Sequence, residues 1–554
     1  MAKFISLMSV LLTSIALSSA AEPDVILARK LIREASDLCG SSCQYFAEFG
    51  VAQAKTGDFK ASKKSFADSW DSALKVEDGV ERRMVLKDIA RLQAQAGQIK
   101  EAVEASQHLS SRYEQAMTLG TIAVAQAELG ETKSALQTVD QMPTEEVWQR
   151  NFTLQLIATN LSNRRDFADA IRVMKLIPSD VELAAKILAR NAPAEQLTPQ
   201  EQAIICSAKM KSTGWITIAQ DQAEAGDLKA ALQTVRSIRL ELQRDIGLMR
   251  VARVAANSGD LTVAQAALKG IHGQEQKEFA LVPIVGAMAK QGRFKDAWDL
   301  AKTIKDPNEK AEAFFEMAAA QAAHGDAKTT LSLYENASLL NPSDNIAHSV
   351  AAKQIVTAYL QSPHLELAEA FTREINDPGT LSEAFQAIAA TKWRIKKIRD
   401  AKRLFDKSRQ AALKIAEPYQ KCVRLREVSM AQFKAEDRVG AKAVIELAVV
   451  AAQKIEIGGG TDVIALTETA TTQRTVGDRD GAATSFEIAR ATASRYPDKP
   501  YVAQLLKDVA FAQARVGDVE AAIQSARQQE SVFCRSRMLL GVANAILSQQ
   551  DTTP

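Results

Sequence analysis

Bulky and small apolar residues return along this chain at fixed offsets from a marker position. Around Gly226, Ala231 stands five residues after, while Ala219, Ile218 and Trp215 stand seven, eight and eleven before. The same offsets hold around Gly130 (Leu119, Ile122, Ala123, Ala135), Gly259 (Leu248, Val251, Ala252, Ala264), Gly325 (Phe314, Met317, Ala318) and Gly517 (Leu506, Val509, Ala510, Ala522). Copies without glycine keep them too: Lys396 has Phe385, Ile388, Ala389, Ala401 and Phe405, and Glu436 has Leu425, Val428, Ser429, Ala441 and Ile445. Large residues three and four apart share one helical face, and a small neighbour lets a second helix approach closely. Glycine accepts the left-handed conformation that closes a helix. The aspartates that often follow it (Asp58, Asp227, Asp260, Asp326, Asp478, Asp518) can cap the free N–H groups of the next helix. Each unit is therefore predicted to be an antiparallel helix pair.

Marker spacing sets the organisation. Gly97 and Gly130 are 33 residues apart, and Gly226, Gly259, Gly292 and Gly325 follow one another at 33. From Lys396 the steps to Glu436, Gly477 and Gly517 are 40, 41 and 40, and Gly57 to Gly97 is also 40. Prolines in Asn191-Ala192-Pro193 and Leu197-Thr198-Pro199 stop a helix twice. They place an irregular unit or a bend at 179–212. The 71 residues from Gly325 to Lys396 leave room for two units, one of them poorly formed around Ser362-Pro363-His364. The chain then reads as a capping helix at 22–42, repeats at 43–178, regular 33-residue repeats at 213–345 and longer degenerate repeats at 346–530. A C-terminal capping helix and tail occupy 531–554, because the ends of a repeat stack need polar covers. Ile457-Gly458-Gly459-Gly460-Thr461 is a connector. Asp462-Val463 after it lacks the Lys-Ser/Thr of a phosphate loop.

Trp215-x-x-Ile218-Ala219-x-x-Gln222 with Ala231-x-x-x-Val235, Phe46-x-x-Phe49-Gly50 with Phe66, and Asn341-Pro342 together resemble the tetratricopeptide-repeat family over roughly residues 43–530. The resemblance implies an all-α fold, a right-handed α-solenoid of about 12–13 antiparallel helix-turn-helix repeats. One departure is consistent. Where the family favours Tyr, this chain has Gln53, Gln93, Gln126, Gln222, Gln321 and Gln513. Such side chains either form a ladder of contacts to neighbouring helices or point to solvent.

Composition agrees with helices: aromatics are 5%, and Gly and Pro number 25 and 14 in 554 residues. Charged residues are 25% but the net charge is only +2, so no global field draws in nucleic acid or an anionic membrane. Met1-Ala2-Lys3, the apolar Phe4–Leu17 and the small residues Ser18-Ser19-Ala20-Ala21 read as a signal peptide over 1–21. The run is short for a membrane span of roughly 20 apolar residues. The expectation is an exported protein, periplasmic or extracellular, with no membrane insertion after cleavage. The five cysteines, Cys39, Cys43, Cys206, Cys422 and Cys534, are too few for a disulfide scaffold. Cys39 and Cys43 can bridge or remain free, and the other three read as small buried residues.

No nucleophile elbow, zincin helix or paired Cys-x-x-Cys occurs, and none of His108, His272, His324, His348 and His364 stands three or four residues from another His or Cys. The reading is therefore no enzyme, no cofactor and no metal. Residues 392–414 hold ten basic side chains against Asp400 and Asp406, a charge of +8 that leaves −6 for the rest. They form either a solvated helix face or an anion-binding patch. In the tetratricopeptide family the first helices line a groove, and the resemblance carries ligand contact onto Trp393, Arg394, Arg426, Phe433, Lys434, Arg474, Lys507, Phe511 and Arg515. Those residues suit an acidic or C-terminal peptide, or an anionic polysaccharide. Ile246, Met249, Arg253, Phe279, Val282 and Phe315 of the middle units suit a hydrophobic segment. The function this favours is a non-catalytic scaffold of the cell envelope or secretome that binds a protein or peptide, with glycan binding or a role in export as the alternative.

Overall fold

Every marker ends a helix, and the backbone shows why. Gly57, Gly97, Gly130, Gly226, Gly259, Gly292, Gly325, Gly477 and Gly517 have φ between 78° and 92°. Arg165, Lys396 and Glu436 stand at the same place in their units and adopt φ of 64°, 63° and 59°. The turn thus keeps its shape where glycine is missing, at the cost of strain in a non-glycine residue. The residue after the marker returns its N–H to the helix, as Asp227 does to the Gln222 carbonyl at 2.9 Å and Asp58 to that of Gln53 at 2.9 Å. Five of the six expected aspartates also cap the next helix: Asp58, Asp227, Asp260, Asp326 and Asp478 accept from the N–H three residues on. Asp518 does not; its carboxylate takes Arg474 Nε at 2.9 Å instead.

The computed structural model describes residues 23–39, 46–77, 79–178, 181–190, 193, 196–362, 364–456 and 458–550. Residues 1–21, expected to be a signal peptide, and Cys43 lie outside them. Among the described residues there are 29 α-helices and no strand, and 26 of the helices fall into 13 pairs. The fold is all-α, a tetratricopeptide-like array of helix pairs. The glutamines are its internal fasteners. Gln53, Gln126 and Gln222 are buried, and each accepts from a hydroxyl twelve residues on, Ser65, Thr138 and Thr234, at 2.8, 2.7 and 2.8 Å. Gln93 and Gln513 reach back 23 residues instead, accepting from Trp70 Nε1 at 2.7 Å and Arg490 Nη1 at 3.0 Å. Five of the six glutamines thus contact a neighbouring helix, while Gln321 is half-buried.

The chain forms two compact units, residues 1–99 with 412–554, and residues 100–411. In the second unit the stretch expected to bend is shorter than 179–212. Thr198 and Glu201 form a capping box, with Pro199 at the first helical position, where its missing N–H costs nothing. The helix it opens runs unbroken for 26 residues from Pro199 to Glu224. The boundary at 212 therefore falls inside a helix, and the described helix of this stretch that joins no pair is the short Val181–Ala189. The poorly formed unit is present as helix Asn345–Gln361 followed by the seven-residue helix Leu365–Phe371.

In the first unit the two expected capping helices cover each other. Leu31 and Ile32 of helix Pro23–Cys39 share one core with Leu539 and Leu540 of helix Val532–Gln550. Ser536 Oγ donates to the Ala35 carbonyl at 2.7 Å, and Arg527 grips Glu34 through two bonds of 3.1 and 2.7 Å. The Gly458–Gly460 connector is also fastened. The N–H groups of Gly458 and Gly460 donate to Tyr496 Oη at 3.1 Å, and that hydroxyl donates to Asp462 Oδ1 at 2.6 Å.

Candidate functional site

Sequence-derived contact residues divide between the units: Trp393 and Arg394 belong to the second, and the other seven to the first. Those seven stand on the first helices Pro418–Lys434, Thr461–Thr475 and Lys499–Arg515. Three of the cations are held by carboxylates of neighbouring elements. Arg426 pairs with Glu468, Arg474 Nε with Asp518 at 2.9 Å, and Lys507 Nζ with Glu48 at 2.6 Å. Phe433 and Phe511 pack partly against the core. Lys434 and Arg515 are exposed, as is Arg394 in the other unit. The acids that engage these cations escape sequence reading because they come from other helices, and Asp518 reads locally as a cap. Of the middle-unit positions, Phe279 is exposed, but Val282 and Phe315 are buried and not available to a ligand. Phe315 packs on Tyr334 and His348, with ring centroids 5.6 and 5.9 Å away.

The basic segment has its own carboxylate hub in the second unit. Glu369 accepts from Lys392 Nζ at 3.0 Å, and pairs with Arg403 at 2.8 Å and Lys407 at 3.3 Å. The bond from Arg403 leads in pulling its carboxyl down to about 2, against the opposing effect of burial, and Lys392 adds to the pull. Part of the local charge of +8 is therefore internal fastening. Arg394, Lys396, Lys397 and Arg399 at the turn are exposed and make no ion pair among the described residues.

A recess of about 570 Å³ opens in the first unit on helices Phe46–Lys55, Val80–Gln95 and Val532–Gln550. Val51, Val85, Ile89 and Leu92 give it an apolar floor, with Glu48, Glu81 and Asp88 around it. Burial would raise the Glu48 carboxyl, but Arg537 and Lys507 overcome this and leave it below its ordinary value. Glu81 and Asp88 stay exposed, and Arg91 offsets Asp88 at 3.6 Å. Such a surface fits apolar side chains carried beside a basic group. Sequence reading passed over it because Asn544 of the last helix completes it, and that helix reads as a distant cap.

Cys39 is disulfide-bonded and Cys206, Cys422 and Cys534 are free. Cys206 is exposed, against the expectation of burial, while Cys422 and Cys534 are buried. No described helix is long and apolar enough to cross a membrane. Among the histidines, His272 alone of the described residues joins a group of possible metal ligands, with Glu241 and Asp245.

No family model matches the chain, and no curated protein matches it. Solved structures do. The anaphase-promoting-complex hetero-tetramer Cut9–Hcn1 is 12% identical over 91% of this chain and 96% of that one, with a TM-score of 0.23. Yeast Tom70 is 13% identical over 87% of this chain and 99% of that one, with a TM-score of 0.29. A circular tandem repeat protein is 13% identical over 96% of this chain and all of that one, with a TM-score of 0.15. Scores this low give no weight to what those proteins bind; the helix pairs described above carry the fold.

Proposed function

We propose that the chain is a non-catalytic interaction scaffold of the cell envelope or secretome, docking a polypeptide on the face of its first helices. The recess over Val51, Val85 and Leu92 supports this reading, since the first helices of two successive pairs present one apolar floor beside the exposed acids Glu81 and Asp88. A partner segment would place an aliphatic side chain on that floor and a lysine or arginine beside Glu81. Burying one such side chain is worth about 1.5–3 kcal/mol. Useful affinity therefore requires contacts along neighbouring helices as well.

The test is affinity capture from envelope extract with the wild type and with Val85→Asp. A polypeptide retained in stoichiometric amount by the wild type and at least ~10-fold less by the variant supports the reading. Identical recoveries, or none, defeat it. Export is tested separately by placing residues 1–21 before a reporter that is active only outside the cytoplasm.

The turn at Arg394, Lys396, Lys397 and Arg399 favours a second reading, binding of an anionic polysaccharide beside Trp393. Salt-sensitive retention on an anionic glycan matrix, lost in Lys396→Gln with Lys397→Gln, supports it, and unchanged elution of that variant removes it.

A further inference from the structure

The two helix pairs that open at Glu241 and Gln274 are one 33-residue step apart, so Glu241, Asp245 and His272 correspond to Gln274, Glu278 and Lys305. In both, a buried acid in the second turn reaches the loop ahead of the following helix and accepts backbone N–H groups. Asp245 Oδ2 takes those of His272 at 3.0 Å and Gly273 at 2.8 Å. Glu278 takes those of Lys305 at 3.4 Å and Asp306 at 2.9 Å. Asp245 does this with one oxygen alone, whereas Glu278 shares the task, Oε1 taking Lys305 and Oε2 taking Asp306.

The surroundings of Glu278 Oε1 and Asp245 Oδ1 differ. Glu278 Oε1 accepts from Gln274 Nε2 at 2.5 Å. That bond leads in holding the Glu278 carboxyl below its ordinary value, and the Lys305 charge adds to it. At Asp245 the corresponding positions hold a second carboxylate and an imidazole instead. Asp245 is 2% exposed, and its Oδ1 has no hydrogen-bond partner. That oxygen faces His272 Nδ1 at 3.8 Å, which in turn stands 3.9 Å from Glu241 Oε1. These gaps are too wide for hydrogen bonds. A buried carboxylate oxygen left unpaired beside another acid is costly unless a cation joins it.

We propose that Glu241, Asp245 and His272 bind a divalent metal ion of the zinc type through one carboxylate oxygen each and the neutral imidazole Nδ1. All three ligand atoms lie within 4.8 Å of one another. Zinc bonds of roughly 2.0–2.2 Å bring tetrahedral donors to about 3.4 Å apart, so the two histidine gaps close by about 0.4–0.5 Å and the gap between the carboxylates from at most 4.8 Å, a movement that the exposed Glu241 side chain can make. An imidazole donor selects zinc, cobalt or nickel over calcium and magnesium, and two carboxylates balance the charge. The side chains of Glu241 and His272 are 66% and 64% exposed, so water or a partner's ligand completes the coordination. Binding clamps the loop before Gln274 to helix Glu241–Asn257 and stiffens the joint between two repeats.

The experiment titrates the untagged full chain with Zn2+ by calorimetry, and with Co2+ by its ligand-field absorption, alongside His272→Ala and Glu241→Gln. Both substitutions are at exposed side chains and leave the bonds from Asp245 to the loop in place, and unchanged helical circular dichroism checks this. The expected result is one Zn2+ per chain, weakened at least ~10-fold in each variant, with four- or five-coordinate cobalt bands lost in parallel. A wild type that binds no Zn2+ at millimolar concentration, or one-site binding that survives in both variants, overturns the proposal.

Discussion

Arg537, in the last described helix, donates from Nη2 to Glu48 Oε1 at 2.7 Å across 489 positions of sequence. Arg537 is 1% exposed, and it also reaches Gln504 Oε1 at 3.0 Å, while Lys507 holds the other Glu48 oxygen. This buried network fastens the first described helices to the last within the first unit. Removing one partner of a buried ion pair leaves the other uncompensated, at about 3–5 kcal/mol. Glu48→Gln should therefore destabilise this unit by about that much. Hydrogen exchange should quicken in helices 23–39 and 532–550 together, and protection left unchanged there would contradict the assignment.

Acid should loosen the second unit through Glu369. Its carboxyl is held at about 2 in the folded chain against an ordinary 4.5. A depressed folded value gives stability that is fully present above 4.5 and is lost as pH falls from there towards about 2. Burial raises Glu312 and Glu309 of the same unit, which work in the opposite direction, so the informative quantity is the difference from Glu369→Gln. That variant should be less stable than the wild type at pH 7 by about 2 kcal/mol, below the buried-pair range because the hub is partly solvated. The difference should shrink below pH 4. Urea midpoints at successive pH values measure it, and a constant offset from pH 7 to 3 would rule out the linkage.

What the sequence makes legible is local. The marker turn depends on a few consecutive backbone angles, so its pattern survives even where Arg165, Lys396 or Glu436 replaces glycine. Helix faces follow from the same offsets, and the recurrent glutamines announce themselves by repetition. Contact between distant segments leaves no such trace. Nothing near Glu48 points to Arg537, and nothing near Arg474 says that it will draw Asp518 away from capping. Phe315 shows a different failure. Its offset places it beside ligand-facing positions, but the rings of Tyr334 and His348 surround it. The triad at His272 was missed because a search by sequence spacing cannot see a loop folding back on a helix one repeat earlier.

The glutamine fasteners make a separate prediction in the second unit. Thr138→Val keeps the side-chain shape but leaves Gln126 Oε1 buried without its hydroxyl donor. An unsatisfied buried acceptor costs about 1–3 kcal/mol, whereas replacing both partners by apolar groups of similar shape costs much less. Gln126→Leu with Thr138→Val should therefore recover most of the loss. Arrays of repeats do not always unfold in one step, so exchange protection of helices 112–128 and 132–140 is the better readout. If the double variant is as unstable as Thr138→Val alone, the bond is not the source of the effect.

The three strained turns predict stabilisation by glycine. Lys396 and Glu436 hold φ of 63° and 59°, a region that costs an L-residue roughly 1–2 kcal/mol. Glycine adopts it freely but gives up more conformational entropy on folding. The net gain expected for Glu436→Gly is about 0.5–1 kcal/mol, since the turn bonds are made by backbone atoms that the substitution leaves alone. The reverse change, Gly226→Ala, should cost about 1 kcal/mol, although a Cβ there would meet no atom within 4 Å. The open space makes the pair of variants diagnostic, because packing cannot explain the loss. Denaturation midpoints that move in opposite directions for the two substitutions would establish backbone strain as the cause. Midpoints that fall for both would mean that the Glu436 side chain stabilises the turn by more than its left-handed backbone costs.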